Sequence, residues 1–186
     1  VLAGEKLQDR NFEFYDHFWV VKTDESGNIQ WSHELGGNLW DEASDIKILS
    51  DDSYIITGKK SISSTNLNMW VMRISSDGTI LWQADHGNSN YDTGTSLTVS
   101  ENEEIIAVVG YTRNSSTSPF KYRIWGVDVA TGQVIWNKIH GGNSDDKALG
   151  VVDSYDQGFS IVGSSYSFGS DRVTWLVKTD SLGNVN

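Results

Sequence analysis

The chain has 186 residues, a formal net charge of −11 and no cysteine. The lack of cysteine excludes disulfides and thiolate metal sites, and the negative charge argues against nucleic acid, whose phosphates need a basic surface. Its longest aliphatic stretch, Ile105 to Val109, is far shorter than the ~20 residues that cross a bilayer, so we expect no membrane span. A hydrophobic fraction of 38% suits a globular chain.

The sequence repeats with a period near 50 residues. Similar segments begin at Trp19, Trp70, Trp125 and Trp175, which are 51, 55 and 50 residues apart. Two further series keep the same register: Trp31, Trp82, Trp136, and Gly27, Gly78, Gly132, Gly183. A period of this size indicates a repeat architecture, in which each repeat is one supersecondary unit.

Four short strands are predicted in the first unit, because β-branched and aromatic residues alternate with polar ones between turn-forming residues. In chain order they are residues 19–23, 29–35, 44–49 and 54–57. The second unit repeats the plan at 80–85, 95–99 and 105–109, and the third at 133–139, 149–152 and 159–162. No window has a sustained helical period, so the fold class is predicted to be all-β. Four-stranded antiparallel units joined by hairpins are typical of a β-propeller blade.

The predicted organisation is a single β-propeller or propeller fragment with three full blades and partial terminal strands. The segments are residues 1–4 as a last strand, blades at 16–58, 69–110 and 124–163, and residues 174–186 as the start of a further blade. The blade shared by the termini then lacks its two middle strands, and its unpaired edges favour self-association. A four-blade ring, a fragment of a larger ring and a ring completed by a second chain remain open, and we favour the fragment.

These motifs resemble a bacterial and archaeal propeller repeat of secreted and surface proteins. The pattern is aromatic-W-V-x-K-x-D-x-x-G-x-x-x-W, then G-G, D-x-A and an apolar strand ending in Gly. Residues 18–24, Gly27, Trp31, Gly36-Gly37 and 41–43 match it, whereas the second unit has Gly87-Asn88 and Gly94 instead. Residues 128–136 also resemble the tryptophan-docking motif of quinoprotein-type propellers. The resemblance implies the fold over the whole chain and leaves the function open.

The predicted binding residues are aromatic and lie in or beside the long connections. Three connections, at 59–69, 111–124 and 164–174, are expected to gather at one end of the blades. Exposed rings among Asn, Ser and Asp can stack on sugars or anchor a protein. The residues are Trp40, Tyr91, Tyr111, Phe120, Tyr122, Tyr166 and Phe168.

Three further series have both a chemical and a structural interpretation, and we favour the structural one. Asp41, Asp92 and Asp146 are expected to accept turn amides rather than bind metal. His86 and His140 are expected to fill strand ends. The charged residues on equivalent strands, Lys22, Arg73, Asp128 and Lys178, are expected to tether neighbouring blades.

We therefore expect a non-catalytic scaffold of a secreted or cell-surface bacterial protein, used in adhesion or assembly, that binds a protein or glycan. No catalytic residue, metal ligand or cofactor site is predicted, since the Asp-rich turns lack the alternating ligands of a calcium loop. The alternative is a fragment of a quinoprotein-like (PQQ-type) dehydrogenase propeller, which the docking motif alone suggests. A purely structural spacer is a third interpretation.

Overall fold

The computed structural model describes residues 1–10, 13–37, 39–88 and 90–185. These residues form β-strands and no helix, which confirms the all-β prediction. The strands are β1 Leu2–Arg10, β2 Glu13–Thr23, β3 Ile29–Leu35, β4 Glu42–Ile48, β5 Tyr54–Ser63, β6 Asn66–Ile74, β7 Ile80–His86, β8 Tyr91–Val99, β9 Ile105–Arg113, β10 Lys121–Asp128, β11 Val134–His140, β12 Asp146–Asp153, β13 Phe159–Ser165 and β14 Val173–Thr179.

The strands group into four antiparallel sheets. Sheet I is β1-β2-β3, sheet II is β4-β5-β6-β7, sheet III is β8-β9-β10-β11 and sheet IV is β12-β13-β14. Sheets II and III are linked by one parallel bridge, between Leu67 and Tyr91. In the described part of the chain no sheet closes on itself, so a propeller ring remains a prediction.

The hydrogen-bonded sheets are out of phase with the sequence units at 16–58, 69–110 and 124–163. Each full sheet joins the last two strands of one unit to the first two of the next, because β3 does not pair with β4. The chain crosses from one sheet to the next at the glycine pairs. Gly36, for example, has a φ of 124°, and an added Cβ would lie 2.2 Å from Asp41 Oδ2, so both the backbone conformation and the space require glycine. The glycines thus mark crossings between sheets.

Most of the strands are longer than predicted, β3 and β11 excepted, and one predicted long connection is not a loop. Residues 59–69 continue the β5–β6 hairpin, with Lys59 paired to Met69 and Ser61 to Leu67. This extension was not predicted because most of its side chains are polar. A strand with one face in solvent need not show an apolar pattern along its whole length. The connections at 111–124 and 164–174 shorten to 114–120 and 166–172.

Three hydrophobic cores of the same design lie between successive sheets. Between sheets I and II, Phe18 and Val20 face Tyr54, Ile56 and other fully or nearly buried residues. The equivalent positions fill the next two cores, with Leu97 and Trp125 in one and Ile161 and Val177 in the other. Sheets II and III therefore each bury one face against the preceding sheet and the other face against the following one.

A tryptophan on the outer strand of each sheet packs on the glycine turn of the next. A Cβ added at Gly78 would lie 2.8 Å from Trp31, and one at Gly132 would lie 2.6 Å from Trp82. Gly183 has Trp136 in the same place. These glycines have positive φ, 94°, 74° and 74°, so both backbone conformation and space require glycine.

Candidate binding face

The connections of sheets I to IV alternate between two ends because neighbouring strands run in opposite directions. We call the end with residues 36–37, 39–41, 64–65, 87–88, 90, 114–120, 141–145 and 166–172 the loop end, and the opposite end, with the short hairpins, the turn end. Backbone hydrogen bonds tie loops of different sheets together at the loop end. Leu67 N donates to Asn90 O at 2.9 Å, and Asp146 N donates to Phe120 O at 2.9 Å.

Three of the predicted binding residues form one cluster at the loop end. Tyr91 and Tyr111 stack with ring centroids 5.8 Å apart and an interplanar angle of 11°. Phe120 meets both rings edge-on, at 5.3 and 5.1 Å. We call these three side chains the aromatic cluster. Such offset and edge-to-face pairs hold each ring in a defined orientation.

Two cations lie over the aromatic cluster. The Arg113 guanidinium is 4.7 Å from the Phe120 centroid and 5.4 Å from that of Tyr91. Lys147 Nζ is 4.3 Å from the Phe120 centroid and 4.7 Å from that of Tyr111. Neither cation is among the residues predicted to bind. They are isolated basic residues on strands, and only the proximity of the rings in space reveals their role.

The electrostatics of the cluster follow from its partial burial. Burial raises the pKa of the Tyr111 hydroxyl above its ordinary value, and the neighbouring Tyr91 raises it further. Tyr111 therefore stays protonated at physiological pH and remains a hydrogen-bond donor. The cations Arg113 and Lys147 over the rings add cation–π attraction to the aromatic contacts of the cluster.

Two open depressions flank the aromatic cluster and share Arg113. One, of about 630 Å³, is lined by Phe120, Pro119, Asp145 and Tyr166 as well as by Arg113. The other, of about 410 Å³, is lined by Tyr91, Trp40, Lys59 and a run of serine and threonine residues. Trp40 and Tyr166, which are 56% and 51% exposed, thus lie on either side of the cluster.

The other two predicted binding residues, Tyr122 and Phe168, pack against Trp175 rather than in the aromatic cluster. Tyr122 is fully buried in the core between sheets III and IV, so its assignment to the binding face is corrected. Adjacent residues of a strand point to opposite sides, and Tyr122 points toward Trp175, 5.2 Å away. Phe168, in the loop-end connection 166–172, is 57% exposed and packs against Trp175, with the ring centroids 4.7 Å apart.

The aligned aspartates accept hydrogen bonds from the turn amides, as expected. Asp41, Asp92 and Asp146 are fully buried. Their Oδ2 atoms accept from the N–H groups of Gly37, Asn88 and Gly142 at 2.8, 2.8 and 2.9 Å. Each carboxylate therefore stabilises the backbone turn at which the chain crosses from one sheet to the next. Asp92 also pairs with a cation, since Arg123 Nη1 lies 2.6 Å from its Oδ1, and among the described residues neither Asp41 nor Asp146 has such a partner.

The histidines also bridge neighbouring sheets. His86 Nε2 lies 2.9 Å from the Gly132 carbonyl oxygen, and His140 Nε2 lies 3.2 Å from that of Gly183. His33 Nε2 makes the equivalent contact with the Gly78 carbonyl oxygen, at 2.6 Å. These contacts stabilise the glycine turns and do not assemble a common site.

Of the charged residues expected to tether neighbouring blades, Arg73 reaches the next sheet, whereas Asp128 and Lys178 bond within their own sheets. Arg73 donates to Asp51, at 2.7 Å, and to the Val129 carbonyl of the next sheet, at 3.3 Å. Asp128 accepts hydrogen bonds from Thr131 in its own turn. Lys178 pairs with Asp156 at 2.6 Å.

Across residues 1–10, 13–37, 39–88 and 90–185, no group of three His, Cys, Asp or Glu residues is arranged to hold a metal ion. The same residues include no helix of the length and apolar character needed to cross a membrane. Searches of protein-family models and of curated proteins find no match to the chain.

Proposed function

We propose that the chain is a non-catalytic β-propeller scaffold of a secreted or cell-surface protein, which binds a glycan or protein through its loop end. The observation that carries the proposal is the aromatic cluster, with Arg113 over it and exposed Trp40 and Tyr166 on either side. Repeated four-stranded sheets that pack face to face through equivalent cores support the propeller part of the proposal.

The chemistry of the loop end favours a sugar chain over an apolar partner. The depressions are shallow, and hydroxyl groups of Ser61, Ser63 and Thr65 line one of them beside Trp40. Flat aromatic faces stack on sugar rings, while hydroxyl and cationic groups hydrogen-bond to the sugar oxygens. The loops are already held by cross-sheet hydrogen bonds, so binding costs little ordering entropy.

The test is a screen of neutral and acidic oligosaccharides, followed by titration calorimetry with the best ligand. Trp40→Ala and Phe120→Ala should each weaken binding by about tenfold or more, because an aromatic anchor at an interface is worth roughly 2 kcal/mol. Tyr155→Ala is the matched control, since Tyr155 is a fully exposed aromatic at the turn end. Equal affinities of all three variants would refute the binding face.

The location is tested separately in the native cell. An antibody against the folded chain should detect it on intact cells or in the medium, and added protease should remove the surface signal. Detection only after lysis would contradict the secreted assignment and leave the binding chemistry to be judged by calorimetry.

A further inference from the structure

Arg113 is shared by both depressions of the loop end, and its hydrogen-bond donors are almost unused. The hydrogen bond from its Nη1 to the Ser116 carbonyl is long, at 3.4 Å. Its Nε is buried and has no hydrogen-bond partner among the described groups. A guanidinium has five N–H donors, and a buried donor without an acceptor is unfavourable. The Arg113 side chain therefore has unused capacity to bind an acceptor.

The arginines on other strands of sheets II and III have carboxylate partners. Arg73 and Arg123 each pair with an aspartate, at 2.7 and 2.6 Å. The chain has 25 acidic and 14 basic side chains, so carboxylates are available to most cations. Arg113 pairs with none among the described residues, and it lies instead over two rings of the aromatic cluster. The rings hold the guanidinium in place and leave its planar fork of N–H groups for a ligand.

A ligand that fills both depressions contacts Arg113 between them. Their volumes of about 630 and 410 Å³ fall within the roughly 300–1,000 Å³ of small-molecule sites. Tyr166 lines the larger depression and Trp40 the smaller one, so each side offers an aromatic ring for stacking. Hydroxyl-bearing residues line both depressions: Ser116, Thr117, Ser118 and Ser144 in the larger, and Ser61, Ser63, Ser64 and Thr65 in the smaller. This arrangement suits a chain of sugar rings with an anionic group near its middle.

Carboxylates in the linings limit the number of charges that the ligand can carry. Asp145 lines the larger depression and Asp16 the smaller one. Lys59, a second cation of the smaller depression, is already paired with Glu42 at 2.6 Å. These carboxylates and the net charge of −11 repel a polyanion. A single carboxylate fits, because the Arg113 guanidinium can bind it through two parallel N–H···O bonds.

We propose that the loop end selects glycans in which one acidic sugar stands between neutral sugars. The carboxylate of the acidic sugar accepts hydrogen bonds from Arg113, and the neutral sugars stack on Trp40 and Tyr166. This inference rests on the proposed function, and it adds the class of glycan and the residue that selects it.

The experiment uses pairs of oligosaccharides that differ in one carboxyl group. Each acidic member, such as a tetrasaccharide with one internal glucuronic acid, is compared with its carboxyl-reduced form, in which that sugar is glucose. Titration calorimetry measures the affinity of the full 186-residue chain for both members. Arg113→Gln removes the charge, and Arg113→Lys keeps the charge without the fork. Lys47→Gln is the matched control, since Lys47 is exposed on β4 near the turn end and its replacement changes the net charge equally.

The acidic member of at least one pair should bind at least about tenfold more tightly than its reduced form. Arg113→Gln should remove this difference and leave the affinity for the reduced form within about twofold. Arg113→Lys should keep only part of the difference, and Lys47→Gln should bind as the unaltered protein does. An equal loss of affinity for both members in Arg113→Gln would give Arg113 a structural role and overturn the inference.

The outcomes separate this inference from the proposed function. Equal or tighter binding of the reduced form in every pair would overturn the inference and leave glycan binding in place. Binding of no member of any pair would refute glycan binding itself. Equal affinity for the peptide acetyl-Ser-Gly-Asp-Gly-Ser-amide would overturn the inference and assign Arg113 to an acidic protein partner. Equal affinity for glucuronate alone would also overturn it, since a simple anion site needs no neighbouring sugars.

Discussion

Replacing Asp92 by asparagine should destabilise the fold more than the same change at the two aligned aspartates. Asp92 is fully buried, and its carboxylate faces the Arg123 guanidinium at 2.6 Å and the Asn88 N–H at 2.8 Å. The neutral amide is nearly isosteric, so packing is kept. Arg123, whose side chain is only 14% exposed, then has no countercharge. Breaking a buried pair from one side costs about 3–5 kcal/mol.

The same change at Asp41 and Asp146 removes no charge partner. Asp41 accepts from two backbone N–H groups, those of Gly37 and Ser61, both at 2.8 Å. An asparagine keeps one acceptor oxygen and turns its NH₂ toward the other donor, which costs about 1–3 kcal/mol. The expected order of destabilisation is therefore Asp92→Asn above both other variants, by about 2 kcal/mol.

The assay is urea unfolding followed by tryptophan fluorescence, with the m-value required to stay constant so that midpoint shifts report stability. Repeating it in 1 M NaCl separates a buried pair from an exposed one, because salt screens a buried pair little. Equal shifts for the three variants, or a shift of Asp92→Asn that salt removes, would refute the reasoning.

Three further outcomes are expected. Tyr122→Phe should raise the free energy of unfolding by up to about 1 kcal/mol, since the Tyr122 hydroxyl is buried without a hydrogen-bond partner among the described groups; a lower urea midpoint would contradict this. Gly132→Ala should lower the free energy of unfolding by about 1–3 kcal/mol, because φ is 74° and the added Cβ would lie 2.6 Å from the Trp82 indole. Gly37→Ala should lower it by about 0.5 kcal/mol or less. Equal losses for the two variants would show that the turn at Gly132 relaxes. Hydrogen bonds from Ser75 and Thr79 lower the pKa of Asp77 from 3.8 to about 2. The contribution of the Asp77 carboxylate to stability is complete above about pH 4 and disappears as the pH falls toward 2. The melting temperature of Asp77→Asn should therefore fall less steeply than that of the unaltered protein over this range. Parallel plots of melting temperature against pH for the two proteins would contradict this.

The repeat could be predicted from the sequence because every unit needs the same contacts. The tryptophan and glycine series recur since an indole of one sheet packs on a turn of the next, and only glycine fits that turn. The aligned aspartates recur for a similar reason, since each accepts the amide at a crossing between sheets. Units that need the same contact have the same residue at that position, and this recurrence can be read from the sequence.

The phase of the sheets could not be predicted from the same residues. A period fixes which positions are equivalent but does not fix where one hydrogen-bonded sheet ends. That boundary depends on whether β3 pairs with β4. The two strands do not pair, because the chain crosses to the next sheet at Gly36, where it packs against the carboxylate of Asp41. The β5–β6 extension was missed because a solvated hairpin has no apolar pattern.

Only part of the candidate binding face could be predicted. Of the predicted residues, Trp40, Tyr91, Tyr111, Phe120 and Tyr166 lie together at the loop end, and their role in binding stays a prediction. Tyr122, only two residues after Phe120, belongs to the core instead. Strand register decides which rings face solvent, and the register was unknown beyond the predicted strand ends.

The sequence by itself determined the all-β class, the repeat and the structural roles of its tryptophans, glycines and aspartates, because these are properties that each unit satisfies locally. The tertiary structure alone decided which residues from different units meet. Arg113 and Lys147 reach the aromatic cluster from sheets III and IV, and Asp92 meets Arg123 across 31 residues of chain. Such contacts depend on how the sheets pack in space, and separation along the chain carries no record of it.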